Sequence, residues 1–483
     1  MTSAGKNVIL RTSRSGLTSL WSLVSSRYPD QEWATFARFG WRDTSAGLVV
    51  TLASLDPPVD GDLDPQVSHV KIDEQYTLRI ALAAETHKLA VGVIHSHPAE
   101  CRPLPSRIDD DMDRYYGRYF GDFAPDRPYV TLIMSRIDDE IVISGRVFWQ
   151  GTWWTVRRSA VLGASLVTQG AAVQRLSPAQ ESRVSRLSSA FGRDAALRLR
   201  NSSVTVIGAG GTGSAAIESL ARAGVGRLVL VDPDFIEASN LERVHGSTPD
   251  SVARKMEKVL IAKEHVHSID PDIQVTAIVG ALPQREVVDA ALSTDVLLGC
   301  TDSQHSRASF SDLAFRCLLP ALDCGVALEG AGGRVTGQVA QFVRLLPEDP
   351  CVYCLGMINS NRLSRELMSP EEREHRRQAS ADAVARGGDG SAYWSDTPQI
   401  NTVGYLTTVV GAMAAGYAIG WLTNRFAPPF ARLQMNFVAP LLDVTEQNDA
   451  ADPDCLCRRT HGWSDQAHPL VTAPPHWPEP REV

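Results

Sequence analysis

Short apolar runs along the first 160 residues predict a sheet with two helices. Strand-like runs occur at 32–39 (EWATFARF), 47–55 (GLVVTLASL), 89–95 (LAVGVIH), 128–136 (PYVTLIMSR), 140–149 (EIVISGRVFW) and 151–156 (GTWWTV). Apolar residues recur with helical spacing at 16–28 and at 74–88. We therefore predict a mixed α+β domain over residues 1–160.

A different pattern begins after residue 182. The stretch SVTVIGAGGTGSAAIESLARAGVGRLVLVDPD starts at Ser203 and gives a strand, a glycine turn, a helix and a second strand. This order predicts a doubly wound parallel sheet, so the chain as a whole is α/β. We place a linker at 161–182, a second domain at 183–460 and a proline-rich tail at 461–483.

One uncharged run, 402–422 (TVGYLTTVVGAMAAGYAIGWL), has the length that spans a bilayer. Its glycines and alanines, and its place between polar and globular segments, favour a buried helix packed closely against a partner helix. We therefore expect no membrane insertion.

Composition narrows the classes of function. With 483 residues, 43% of them hydrophobic and 21% charged, the chain can form two domains with separate cores. The formal net charge of −9 provides no basic surplus for a nucleic acid. The N-terminus has no apolar region with a cleavage site, so we expect a cytoplasmic protein whose cysteines serve as thiols or metal ligands.

The stretch HSHPAECRPLPSRIDD, residues 95 to 110, carries the first candidate site. His95 and His97 are two residues apart, so both leave the same face of a strand and can bind one ion. Asp109 can add an oxygen ligand. Three protein ligands leave a fourth position for water, which is the catalytic arrangement for zinc. Ser106 can donate a hydrogen bond to a developing oxyanion.

This stretch resembles the metal site of JAB/MPN-type (JAMM) metalloproteases, whose pattern is a distant Glu, then H-x-H-P and S-x-x-D. The resemblance implies that His95, His97 and Asp109 bind zinc and that Ser106 assists the oxyanion. The spacer PAECRPLP has eight residues, one more than the family's usual seven. Asp110 therefore stays open as an alternative to Asp109.

The family's glutamate lies on the strand after the first helix. Glu32 occupies that place and is the expected general base, which takes a proton from water and passes it to the leaving amine. Glu74 and Glu85 fall in the later predicted helix and fit less well.

The glycine turn is the second candidate site. Glycines in G-x-G-x-x-G spacing let a backbone approach a ligand, the helix N-terminus favours anions, and an acid at the end of the next strand can bind ribose hydroxyls. The residues in question are Gly208, Gly210, Gly211, Gly213 and Asp232. This pattern alone is shared with dinucleotide oxidoreductases.

The residues that follow favour a triphosphate over a nicotinamide. Asp234, Asn240 and Arg243 lie in DPDFIEASNLER, and Lys255 follows in SVARKMEKV. Arginine and lysine offset the charge of a transferring group. Asp302, in CTDSQHSR at the end of another predicted strand, can hold Mg²⁺.

Together GAGGTGS, DPDFIEASNLER, Lys255 and CTDSQHSR resemble the E1/ThiF/MoeB adenylyltransferases over roughly residues 183–460. The resemblance implies a Rossmann-like domain that uses ATP to activate the C-terminal glycine of a ubiquitin-like protein as an acyl adenylate. It further implies roles for single residues: Asp232 at the ribose, Asn240, Arg243 and Lys255 at the phosphates, Asp302 at Mg²⁺, and Arg186 near the triphosphate across a homodimer interface.

Two close cysteine pairs remain, CVYC at 351–354 and CLC at 455–457. Cys351, Cys354, Cys455 and Cys457 suit a closed structural zinc site, although the family usually has C-x-x-C in both places. Thioester-forming members carry a cysteine after the first pair, whereas residues 355–454 contain none. We therefore expect direct transfer from the adenylate to a partner's thiol. The other cysteines are Cys101, Cys300, Cys317 and Cys324, and we expect the last three to be buried.

The two sites suggest sequential chemistry on one substrate. Our leading hypothesis is a bifunctional enzyme that trims or deconjugates a ubiquitin-like protein and also adenylates its C-terminal glycine, with an E2-like or sulfur-transfer protein as a further partner. The alternatives are sulfur-carrier activation in cofactor synthesis, a dinucleotide-dependent oxidoreductase with a metal-binding appendage, and an inactive scaffold.

Overall fold

The computed structural model describes residues 7–66, 69–86, 88–97, 102–163, 166–170, 175–394, 402–438, 443–448 and 450–483. The chain divides into two compact units. The first unit is Met1–Ala172 with Leu313–Leu319 and Pro453–His468, and the second unit is Val173–Asp312 with Pro320–Asp452 and Pro469–Val483. The first division falls inside the segment 161–182 that the sequence assigned to a linker.

Residues 7–170 contain the elements β1 (Asn7–Ser13), α1 (Arg14–Val24), β2 (Ala34–Thr44), β3 (Gly47–Asp56), β4 (Leu63–Pro65), β5 (Val70–Ile72), α2 (Glu74–Thr86), β6 (Ala90–Ser96), α3 (Arg107–Phe123), β7 (Tyr129–Ile137), β8 (Glu140–Trp149), β9 (Thr152–Leu162) and β10 (Val167–Gln169). Each strand-like run in the sequence of this part corresponds to one of these strands. The first predicted helix is shorter than expected and ends at Val24.

The main sheet of the first unit has the strand order β1-β3-β2-β6-β7-β8-β9-β10. Because β1 also pairs with β9, the sheet curls back on itself. One hydrophobic cluster packs α1 against one face through Leu17, Leu20 and Val24. A second cluster packs α2 and α3 against the other face, with Tyr76 and Phe120 in its centre. The sheet thus has a packed core on both sides.

The rest of the chain contains α4 (Pro178–Arg183), α5 (Ser185–Phe191), α6 (Arg193–Arg200), β11 (Ser203–Ile207), α7 (Gly211–Ala223), β12 (Arg227–Val231), α8 (Pro249–Ala253), α9 (Lys258–Ile269), β13 (Gln274–Val279), α10 (Arg285–Leu292), β14 (Val296–Gly299), α11 (Gln304–Arg316), β15 (Ala321–Ala331), β16 (Arg334–Leu345), α12 (Ser360–Leu367), α13 (Pro370–Ala385), α14 (Gly404–Thr423), β17 (Arg432–Asn436), β18 (Asp443–Gln447), α15 (Leu456–Arg459) and β19 (Arg481–Glu482). Short 3-10 turns occur at Ala238–Asn240 and Gly390–Ala392.

The sheet of the second unit has the strand order β18-β17-β16-β15-β14-β11-β12-β13-β19. The run β15-β14-β11-β12-β13 is parallel, and the strands outside it pair antiparallel. The first strand of the run, β11, lies between β12 and β14, so the strand order reverses there. In open α/β sheets the crevice at such a reversal, beyond the carboxyl ends of the strands, is the usual ligand site.

Helix α14 covers most of the uncharged run at 402–422. Among the described residues it is the one helix long and apolar enough to cross a membrane, and 61% of its most apolar window is buried. It packs on α7: a Cβ at Gly411 would lie 2.3 Å from the Thr212 carbonyl oxygen. Close contact between these two helices therefore requires the small residues that the sequence shows.

Residues 461–483, assigned by sequence to a tail, contact the sheet of the first unit and add a strand to the sheet of the second unit. In the first unit, Gly462 accepts a hydrogen bond of 2.6 Å from the Thr51 hydroxyl. In the second unit, β19 pairs antiparallel with β13, and the Val483 amide donates to the Ala277 carbonyl at 2.9 Å. This part of the chain is therefore built into the fold.

Candidate metal centre and nucleotide site

The end of β6 and the start of α3 hold the histidine and aspartate side chains together. β6 lies between β2 and β7, so its register is fixed on both sides. Ser106 is the N-cap of α3: the Asp109 amide donates to the Ser106 hydroxyl at 3.3 Å, and the Ser106 amide donates to Asp109 Oδ2 at 2.5 Å. This capping box fixes the buried Asp109 carboxylate at the helix N-terminus.

The three side chains form a compact set of donors. Asp109 lies 2.9 Å from His95 Nε2 and 3.3 Å from His97 Nε2, and the two Nε2 atoms are 3.2 Å apart. Ligands of a tetrahedral zinc at about 2.0–2.1 Å are separated by about 3.3 Å. The spacing and chemistry of this donor set therefore fit a zinc ion.

The other predicted residues of this site make different contacts. Asp110 pairs with Arg146 at 2.7 Å, so Asp109 is the aspartate that joins the histidines. Ser106 is exposed, and its hydroxyl accepts the cap hydrogen bond. Glu74 is the first residue of α2. The Glu85 side chain and Cys101 lie outside the described residues.

Glu32 lies beside this set, two residues before β2. Its Oε1 is 3.9 Å from His97 Nε2. The next residue, Trp33, is tied to the strand of the histidines, because its amide donates to the Ser96 hydroxyl at 3.2 Å and its carbonyl accepts from the Ser96 amide at 3.0 Å. Burial raises the pKa of the Glu32 carboxyl, although the imidazoles of His95 and His97 oppose this rise. A raised pKa suits a group that must take up and release a proton near neutral pH.

In the second unit, the glycine turn connects β11 to α7. Gly208 has a φ of 94°, and a Cβ there would lie 2.6 Å from the Cys300 carbonyl oxygen. A Cβ at Gly213 would lie 1.8 Å from the Gly208 carbonyl oxygen. At Gly210, the N-cap of α7, a Cβ would meet nothing within 4 Å. The turn is therefore tight on its inner side and open at the helix N-terminus, where a phosphate can approach the backbone.

Asp232 follows β12 and braces this turn. Its Oδ2 accepts from the Ala209 amide at 2.7 Å, and its Oδ1 accepts from the Asp234 amide at 2.9 Å. The carboxyl is buried. Burial raises the pKa of Asp232, and the nearby charge of Lys258 opposes this rise.

Lys258, which sequence reasoning missed, is the lysine that the structure brings to these carboxylates. Its Nζ lies 2.8 Å from Asp234 Oδ2. Burial alone would lower the pKa of Lys258, but the charges of Asp232 and Asp234 outweigh burial and raise it. Lys255, the predicted phosphate ligand, is exposed and has a left-handed φ of 50°. Lys258 stands at the start of an apolar helical pattern. Because a helix N-terminus favours anions such as phosphates, this position could have identified Lys258 as a residue close to a bound phosphate.

Asn240 and Arg243 lie in the loop after β12. Asn240 is buried, and its Oδ1 accepts from the Glu237 amide at 3.2 Å. Arg243 donates to the Ser239 carbonyl at 2.7 Å. A Cβ at Gly211 would lie 3.2 Å from Arg243 Cδ, so the arginine reaches the glycine turn.

A histidine that the sequence did not single out fixes this loop. His245 Nδ1 lies 2.6 Å from Glu218 Oε2 on α7, and its Nε2 lies 3.0 Å from the Thr408 hydroxyl on α14. The His245 amide also donates to the Ser214 hydroxyl at 3.0 Å. The loop is therefore anchored to both helices that flank the glycine turn.

Asp302 and Arg186 are both on the surface of the second unit. Asp302 follows β14, and its side chain is 78% exposed and 4.0 Å from Arg362 Nη2. Arg362 also donates to the Asp302 carbonyl at 2.9 Å. Arg186 is exposed on α5.

The two cysteines of the first pair lie close together in the second unit. The sulfur atoms of Cys351 and Cys354 are 3.6 Å apart. Tetrahedral zinc with ligands at about 2.3 Å separates its sulfur atoms by about 3.8 Å. The spacing of this pair therefore fits two ligands of one zinc ion, and the contribution of Cys455 and Cys457 stays a prediction.

The remaining described cysteines follow the prediction in part. Cys317 and Cys324 are buried, whereas Cys300 is half-buried. Burial raises the pKa of the Cys324 thiol well above its usual value.

Comparison with known proteins finds a family match for the second part of the chain. The profile described as the ThiF family matches residues 183–458. The sulfur carrier protein ThiS adenylyltransferase of Bacillus subtilis (strain 168) is 29% identical over 159 residues, which is 33% of this chain and 45% of that protein. The molybdopterin-synthase adenylyltransferase of Escherichia coli (strain K12) is 32% identical over 168 residues, which is 35% of this chain and 64% of that protein.

Further similarity extends to an archaeal protein and a solved structure. The SAMP-activating enzyme E1 of Haloferax volcanii is 33% identical over 158 residues, 33% of this chain and 54% of that protein. The crystal structure of E. coli MccB with ATP matches with a TM-score of 0.43 and 18% identity, over 57% of this chain and 74% of that one. The chain spans between 45% and 64% of the length of the curated relatives named here.

Proposed function

The chain belongs to the ThiF family, and from this premise we propose that its second unit adenylates the C-terminal glycine of a small carrier protein. The observation that carries this proposal is the arrangement around the glycine turn, where Asp232 and Lys258 lie beside a helix N-terminus that is open to phosphate. Family membership argues against the dinucleotide oxidoreductase.

The names of the relatives favour one kind of carrier. Two of them are adenylyltransferases of sulfur-carrier or molybdopterin-synthase systems. We therefore place activation of a sulfur carrier first and activation of a ubiquitin-like protein for conjugation second. Either protein would supply the same reacting group, the carboxylate of a C-terminal glycine at the end of a flexible tail.

In the proposed reaction, the glycine carboxylate attacks the α-phosphorus of ATP, an acyl adenylate forms and pyrophosphate leaves. Asp232 would bind the ribose hydroxyls, and Arg243 and Lys258 would offset the charge that develops on the phosphates. Asp302 would hold Mg²⁺, whose role is to neutralise phosphate charge. Because residues 355–454 contain no cysteine, a partner's thiol would attack the acyl carbon of the adenylate directly, so that a thioester forms and AMP leaves.

Exchange of labelled pyrophosphate into ATP tests this proposal. Exchange should require a small glycine-ended protein and should stop when that protein lacks its terminal glycine. NAD(P)H turnover without such exchange would contradict the proposal. Gel filtration of the full chain would test the homodimer, and fractionation of cells would test the cytoplasmic location.

A second candidate function belongs to the first unit. The convergence of His95, His97 and Asp109, with Glu32 at 3.9 Å, supports a zinc peptidase that trims or deconjugates the same carrier. Zinc in such a site polarises a carbonyl and lowers the pKa of water toward about 7. Glu32 would take a proton from the attacking water and deliver it to the leaving amine.

Cleavage assays with a carrier extended beyond its terminal glycine test this second candidate. Cleavage should require zinc and return after chelation and re-addition of the metal. A zinc-loaded protein that leaves both extended and conjugated carriers intact would contradict it.

A further inference from the structure

A cleft opens between β8 and β9 in the first unit. The two strands pair through Arg146–Trp149 and Thr152–Thr155, and from Val156 onward β9 pairs with β1. The cavity where β8 and β9 separate has a volume of about 620 Å³. Ligand sites usually have volumes of about 300–1,000 Å³, so this cleft is large enough to hold a ligand.

The strand register relates the cleft to the candidate metal centre. His95 is beside Ile133 on β7, and Ile133 is opposite Ser144 on β8. Directly paired residues face the same side of a sheet. Ile133 and Ser144 both line the cleft, and neighbouring strands are about 4.8 Å apart. The cleft therefore begins one strand, about 5 Å, from His95 at Ile133 and continues on the same face to Ser144, two strands or about 10 Å away.

The loop before α3 joins the same two places. The Ser144 hydroxyl donates to the Pro103 carbonyl, which ties this loop to the cleft wall. Three residues further along, Ser106 caps the helix that carries Asp109. Leu104, between them, lines the cleft and is 65% exposed. A largely exposed apolar side chain thus lines the cleft.

The lining combines aliphatic surface with positive charge. Ile133, Val142 and Val156 provide apolar walls, and the charged lining residues are four arginines with one aspartate and one glutamate. Arg146 is already paired with Asp110 and Asp113. The exposed Arg102 and Arg157 therefore give the cleft a positive character.

We propose that this cleft binds an extended peptide segment with aliphatic and acidic side chains. This inference rests on the proposed peptidase only for the location of the cut. An extended chain covers about 3.3–3.6 Å per residue, so the part of the cleft from Ile133 to Ser144 would hold side chains about one to three residues from the cleaved bond. Aliphatic side chains would contact Leu104 and Val142, and carboxylates would pair with Arg102 and Arg157.

Fluorescence anisotropy with two labelled peptides tests the proposal. Both peptides have the same length and the same alternating leucine and valine positions, but one carries glutamates and the other lysines between them. The protein is the full chain with Glu32→Gln, so that neither peptide is cut. We expect the acidic peptide to bind at least about tenfold more tightly, with a smaller difference in high salt because the charges are exposed.

Two cleft variants and one matched control locate the binding. Arg157→Glu replaces attraction by repulsion, and Leu104→Asp adds a negative charge at an exposed position. Each should weaken binding of the acidic peptide by about five- to tenfold, since exposed pairs contribute up to about 1 kcal/mol each. Arg114→Glu changes an exposed arginine of α3 that does not line the cleft and should leave binding unchanged.

Equal affinity for the two peptides, or equal losses in Arg157→Glu and Arg114→Glu, would overturn the proposal. Its failure is distinguishable from failure of the peptidase. If the zinc-loaded wild type binds the acidic peptide and never cuts any carrier, the cleft stands and the peptidase falls. If the wild type cuts carriers with a KM that Arg157→Glu and Leu104→Asp do not change, the peptidase stands and the cleft proposal falls.

Discussion

Replacing Lys258 by methionine should abolish most of the adenylation activity. The substitution keeps the aliphatic part of the side chain and removes the ammonium group, which lies 2.8 Å from Asp234 Oδ2. The side chain is only 13% exposed, so water can replace the lost charge only in part. Removing one preorganised donor from a developing charge costs about 2.7–4 kcal/mol, or about 10²–10³ in kcat.

The same substitution should change ATP binding through Asp232. The charge of Lys258 opposes the rise that burial causes in the pKa of Asp232, so Lys258→Met should raise this pKa further. A larger fraction of Asp232 is then protonated wherever this carboxyl titrates, and its contact with ribose hydroxyls weakens. The KM for ATP should therefore rise together with the fall in kcat. A carboxyl with a raised pKa costs stability progressively as pH rises from its unfolded value, so the variant should be less stable at pH 7 than at pH 4 relative to wild type.

Lys255→Met is the matched control, because it makes the same chemical change three residues away at an exposed position. Its pyrophosphate exchange should stay within about twofold of wild type, in line with the small effects of exposed charges. Circular dichroism and thermal unfolding would verify that both variants fold. Wild-type kcat in Lys258→Met, or an equal loss in Lys255→Met, would refute the assignment.

Four further predictions concern the metal sites, the loop after β12 and pH. Glu32→Gln should lower cleavage of an extended carrier by about 10²–10⁴ while bound zinc, measured by atomic emission, stays the same; undiminished cleavage would remove Glu32 from the reaction. Metal analysis should find about two zinc ions per chain, with one lost in His95→Ala and the other in Cys351→Ser; a metal-free wild type would contradict both sites. His245→Ala should raise the KM for ATP in pyrophosphate exchange more than it lowers kcat, and His245→Gln should restore part of the loss; equal effects in both variants would exclude a positioning role. Burial, aided by the charge of Arg458, lowers the pKa of His461 to about 4, so wild-type stability should fall as pH drops from 6.5 toward 4, and His461→Gln should flatten this dependence in chemical denaturation.

The sequence by itself predicted what short-range patterns encode. Apolar runs located six strands of residues 1–160 but not β1, β4, β5 or the helix α3, and the glycine spacing from Gly208 to Gly213 predicted the strand, turn and helix at the start of the second sheet. His95 and His97 could be paired from sequence, because side chains two residues apart on a strand share a face. These features depend on neighbours in the chain, so the local sequence is enough to determine them.

Only the tertiary structure decided which of two nearby residues enters a site. Successive residues of a helix differ by about 100° around its axis, so Asp109 and Asp110 cannot face the same group. The capping box at Ser106 sets the start of α3, and with it the phase that directs Asp109 to the histidines and Asp110 to Arg146. The eight-residue spacer could not reveal this, because its length does not determine where the helix begins.

Local sequence also could not show which of the two lysines reaches the carboxylates or where the C-terminal segment pairs. Lys258 rather than Lys255 reaches the carboxylates because α9 begins at Lys258, beside the end of β12. The pairing of β19 with β13 joins residues about two hundred positions apart, which no local pattern encodes. The sequence was enough to predict the types of residue in each site and their local structure. Helix phase and long-range strand pairing exist only after the chain has folded. These two features decided which side chains come into contact.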